Sequence, residues 1–86
     1  MASTQAAFEV KTRSPKQASA LVDAVLAKAE RQEAFSATAT QKGSSAVVEA
    51  SLCYKSAAVG PGHLQRTIET ASRSAEGVEI RSIERV

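Results

Sequence analysis

The side chains of this 86-residue chain that could do chemistry fall into three groups. The first is a set of anion-binding candidates, Arg13, Ser14, Lys16, Lys42 and Arg73. Two of them flank Pro15, where a hydroxyl and a lysine sit beside a helix start. Exposed N–H groups and the positive end of a helix dipole favour phosphate or carboxylate at such a place. The second group is the single histidine, His63, and the single cysteine, Cys53. A nucleophilic Cys–His or Ser–His–Asp arrangement needs a base beside the nucleophile and a carboxylate to orient it. No local spacing supplies that third member. No further His, Cys or carboxylate stands close enough to make a ligand set, so neither a metal nor a cofactor is expected. The third group, Ser36, Thr38 and Thr40, carries no catalytic chemistry. It belongs to an uncharged, alternating stretch suited to pairing with another strand.

Composition bounds what these residues could serve. The net charge is +2 and the two signs alternate along the chain. A strong nucleic-acid binder concentrates its charge instead. One cysteine cannot close an internal disulfide. No apolar run is long enough to span a membrane, and the start MASTQAAFEV lacks the charged and apolar regions of a secretory signal. These features predict a cytoplasmic protein. Residues 1–5 read as a flexible tail and 6–86 as a single domain. Large apolar residues are few and alanines many, so the core is expected to be thin and self-association correspondingly favoured.

The elements that position these groups are legible from period and punctuation. Ala6 to Arg13 alternates, with Phe8 and Val10 on one side and Glu9, Lys11 and Arg13 on the other, as in a half-buried strand. Ser14 to Gln32 is an amphipathic helix. Ser14 is its N-cap, Pro15 its first residue and Gln17 the return partner of a capping box. Ala18, Leu21, Val22, Val25, Leu26 and Ala29 form its apolar stripe. Ala34 to Gln41 is a second strand, Lys42-Gly43-Ser44-Ser45 a turn, and Ala46 to Lys55 a third strand with Val48, Ala50, Leu52 and Tyr54 inward. After the loop Ser56–Gly62, a second helix runs to Glu76 on Leu64, Ile68, Ala71 and Ala75, stopped by Gly77. Val78 to Val86 is the last strand, and Ile83 breaks its alternation as a bulge would.

The resulting β-α-β-β-α-β order, with right-handed crossovers, predicts an α+β fold. Its four-stranded antiparallel sheet has the order 4-1-3-2 and both helices on one face, the ferredoxin-like superfold. That topology gathers Arg13, Lys16, Lys42 and Arg73 at one end of the sheet and places Ala34–Gln41 at its rim. The arrangement is similar to RNA-recognition modules. Their aromatic stacking platform is absent, since the outward positions of the two central strands hold Glu9, Lys11, Arg13, Glu49, Ser51 and Cys53. It is also similar in architecture to acylphosphatases, whose phosphate loop lies where this chain has KTRSPKQ. There is no glycine-rich loop here, and the chain has no Asn to orient a water. The sequence therefore predicts a non-enzymatic interaction or assembly module. Its expected partner is a protein, another copy of itself included, met at the sheet edge through Ser36, Thr38 and Thr40 or on the open face. No membrane partner is expected. An accessory RNA-binding role through the basic rim is the second expectation, and a small-anion enzyme the third.

Overall fold

In the computed structural model, residues 2–54, 60–75 and 77–86 are described. The elements are β1 (Ala2–Thr12), α1 (Pro15–Arg31), β2 (Phe35–Lys42), β3 (Ser45–Tyr54), α2 (Pro61–Arg73) and β4 (Ile80–Arg85). They form one open antiparallel sheet in the order β2-β3-β1-β4, the expected strand order read from its other edge.

Alternation along the strands decides which face is buried. Phe8 and Val10 on β1 stand opposite Val48 and Ala46 on β3, and Phe35 on β2 stands opposite Leu52. All six are buried. Leu21 and Val25 of α1 and Leu64, Ile68 and Ala71 of α2 join them in one cluster, so both helices cover the same face. α1 lies mainly over β2 and β3, and α2 over β1, β3 and β4.

The boundaries depart from expectation where tertiary contacts outweigh local signals. Residues 2–5, read from sequence as tail, are strand, because Ser3, Thr4 and Gln5 find partners in Cys53, Leu52 and Ser51. The capping box is only half made. Ser14 Oγ accepts from the Gln17 N–H at 3.3 Å, whereas Gln17 Oε1 accepts from the Glu79 N–H at 3.0 Å instead of returning to Ser14. α2 stops at Arg73, short of Glu76. The Ser72 and Ser74 hydroxyls donate to Glu69 O and Ala71 O and close the last turn early. Gly77 adopts the expected positive φ of +83°, but past the helix rather than at its end. Gly43 has φ +59° while Ser44 stays negative, as a type II′ hairpin turn requires.

β4 begins at Ile80, not Val78, and carries the irregularity that Ile83 announced. Val10 faces Ile83, Lys11 faces Ser82, and Thr12 faces Ile80, so the register slips between Lys11 and Thr12. The slip lets Ile80 and Ile83 both pack against the core, although they are three positions apart. The expected inward Tyr54 side chain, the end of the third strand at Lys55, most of the expected loop (residues 56–59) and Glu76 lie outside the described residues.

Candidate functional site

The basic rim assembles in part. Thr12 is buried, and its hydroxyl lies 2.9 Å from Ser14 O and 2.7 Å from Ser44 O. Gln41 Nε2 donates to Pro15 O at 2.8 Å and to Gly43 O at 3.1 Å. These bonds tie the β2–β3 turn to the start of α1 and bring Arg13, Ser14, Lys16 and Lys42 to one end of the sheet. Arg73 is the last residue of α2, and its neighbour Ser74 shares a cleft with Ala24 and Ala27 of α1.

The rim's anion-binding capacity is already partly spent. Arg13 Nη1 lies 3.1 Å from Glu79 Oε2, with the two side chains 70% and 62% exposed. Such a surface pair contributes little stability, yet the nearby carboxylate competes with any other anion for the guanidinium. Pro15 has no N–H, and the Gln17 N–H is held by the Ser14 hydroxyl. The first turn therefore offers few donors, and the hydroxyl that could have reacted is the cap.

Sequence reasoning missed a second basic cleft. Lys28 and Gln32 of α1 and His63, Arg66, Thr67 and Thr70 of α2 line a concavity of about 240 Å³. It forms because the end of α1 lies beside the start of α2, a juxtaposition no local pattern announces. Its lining holds no carboxylate that could act as a base. Among the described residues no three His, Cys, Asp or Glu side chains converge as a metal site would need. No helix among them is long and apolar enough to cross a membrane.

The open face of the sheet follows from the register. Gln5, Ser51 and Ser36 form one row across β1, β3 and β2, and Ala7, Glu49 and Thr38 the next. The short side chains of Ala7, Ser36, Thr38 and Ser51 leave a trough of about 440 Å³ beside the β2 edge, with Gln5 and Glu49 also in its lining. Further along the face, Glu9 stands opposite Glu84, and Lys11 opposite Ser82. Lys11, Ser45 and Lys42 form a row at one end of the face, so Glu9, Glu49 and Glu84 share it with two lysines.

The two edges of the sheet are built differently. β4 is short, holds Arg81, Glu84 and Arg85, and is bulged. Those are the usual devices against pairing with another chain. β2 reads FSATATQK, charged only at its last residue, and its ladder with β3 runs from Phe35 to Lys42 without a register shift. Its outer side pairs with no strand among the described residues. The Cys53 N–H donates to Ala34 O at 2.8 Å, which sets the phase of that ladder. Even-numbered β2 residues bond to β3, and Ala37, Ala39 and Gln41 turn their N–H and C=O outward. The side chains of Ser36, Thr38 and Thr40 are exposed on the open face.

α1 extends this edge upward. Leu26, expected in the buried stripe, is 37% exposed. At 100° per residue it points about 160° away from Ala24 and Lys28, which face α2 across a cleft. Leu26 and half-buried Val22 therefore overhang the free side of β2. Comparison of the chain with protein-family models, with curated proteins and with solved structures found no match.

Proposed function

We propose that the chain is a ferredoxin-like interaction module that accepts an extended strand on the outer edge of β2. The reading is non-enzymatic: recognition comes from main-chain hydrogen bonds, and specificity from what flanks them. One observation carries it, the contrast between the guarded edge at β4 and the straight, nearly uncharged edge at β2. The small-residue trough beside that edge and the overhang of Leu26 supply side-chain contacts to the same partner.

The test uses a synthetic peptide of the β2 sequence, AFSATATQK, as a generic strand. Titrated into the labelled protein, it is expected to shift and protect the Ala37, Ala39 and Gln41 amides, while β4 amides stay unchanged. Ala39→Pro removes one outward N–H and leaves the β2–β3 ladder intact, so it should abolish the effect. Thr38→Pro would be a poor substitute, because the Thr38 N–H points to β3. Equal shifts in wild type and Ala39→Pro would refute the edge.

A second reading, an accessory nucleic-acid role, rests on Lys16 and Lys42 standing at the same end of the sheet, where Gln41 Nε2 donates to Pro15 O. Binding of a single-stranded oligonucleotide that weakens steeply with salt, and is lost in Lys16→Glu, would favour it. The Arg13–Glu79 pair weighs against it.

A further inference from the structure

We infer that the strand accepted by β2 is β2 of a second copy, in an antiparallel register centred on Thr38. The inference rests on the edge reading above and adds the partner and its alignment.

A twofold interface must be self-complementary: whatever residue i meets, residue i presents in return. The outward phase at Ala37, Ala39 and Gln41 permits few registers. The one centred on Thr38 uses nearly the whole strand. Ala37 then faces Ala39 of the other copy, and Ala39 faces Ala37, giving about six new main-chain hydrogen bonds along the edge. On the open face Thr38 meets Thr38, and Ser36 meets Thr40, hydroxyl pairs that stabilise antiparallel neighbours. The same register sets exposed Lys42 of each copy beside exposed Glu33 of the other. Opposite charges thus meet at both ends of the seam, and like charges meet nowhere along it.

The helices agree with that alignment. α1 runs antiparallel to β2, tied by Pro15 O to Gln41 at one end and by the bond from the Phe35 N–H to Gln32 O at the other. Midway between the ties, Asp23 lies level with Thr38, so Val22 and Leu26 straddle the twofold axis. With α1 over β2 and β3, two copies of α1 would lie about two strand spacings, roughly 10 Å, apart. That is an ordinary helix-packing distance. Leu26 of each copy would then pack near Val22 of the other. Leu26, the one large apolar side chain exposed on a helix among the described residues, is thereby covered.

Cross-linking reads the register directly. Opposed residues at a non-hydrogen-bonded antiparallel site lie within disulfide reach. In a Cys53→Ser background, Thr38→Cys is expected to form a linked dimer on mild oxidation. Ser36→Cys and Thr40→Cys should each stay unlinked alone and link when mixed. Lys42→Glu and Glu33→Lys should each weaken the dimer about fivefold in sedimentation, and mixing the two should restore it. Self-linking by Ser36→Cys as readily as by Thr38→Cys, or a dimer that survives Ala39→Pro, would overturn the inference. So would a wild-type chain that sediments as a monomer at millimolar concentration. In that last case the peptide titration still decides the edge reading by itself.

Discussion

At the scale of single residues, Thr12 contributes more than its size suggests. It is one of two buried polar residues among those described, and its single hydroxyl proton has the Ser44 and Ser14 carbonyls both within reach, at 2.7 and 2.9 Å. Its own N–H also donates to Ser44 O at 2.9 Å. One side chain thus fixes the β1–α1 junction against the hairpin turn and sets where Lys16 and Lys42 sit. Thr12→Val keeps the shape and deletes the donor. It should cost about 1–2 kcal/mol in denaturant unfolding and loosen the rim. Ser14 was legible as a cap because capping is a local matter of one side chain and the next turn. Gln17 was misread for the converse reason. Its side chain had two N–H groups within reach, and the one it took, on Glu79, is 62 residues away in sequence.

At the scale of elements, α1 shows what periodicity can and cannot decide. The stripe from Ala18 to Ala29 is one pattern, yet Leu21 and Val25 are fully buried while Leu26 is 37% exposed. The two lie on opposite flanks of what the period alone presents as a single face. Leu21→Ala should therefore destabilise the monomer by about 3 kcal/mol, and Leu26→Ala by less than about 1 kcal/mol, in urea melts at low concentration. At high concentration Leu26→Ala should weaken association, because its burial comes from the neighbouring copy. The strands were read well where they alternate and poorly where they do not. β4 escaped a clean reading since its slip against β1 reflects a register chosen jointly by Ile80, Ile83 and the β1 partners.

At the scale of the whole molecule, the core is small. Two phenylalanines, Phe8 and Phe35, are its largest side chains, and much of the rest is Val and Ala. A domain of this length holds roughly 4–13 kcal/mol of net stability. Phe8→Ala, costing about 4 kcal/mol, should leave the chain largely unfolded by circular dichroism at 37 °C. A marginal monomer gains most from burying one more edge, which is why the β2 seam and Leu26 matter together. Strand pairing would extend the ladder at the one of its two edges that carries no bulge and almost no charge.

The sequence by itself determined the element order, the buried face of each strand, the cap of α1 and the antiparallel sheet with β2 at its rim. Each follows from periods of 2 or 3.6 and from turn chemistry, which act between near neighbours. Only the tertiary structure decided that residues 2–5 join β1 and that Arg13 is paired with Glu79. It alone exposed Leu26 over the free edge and set which amides of β2 face outward. Those outcomes depend on register and on how helices lie across strands, and both are chosen by contacts between residues distant in the chain.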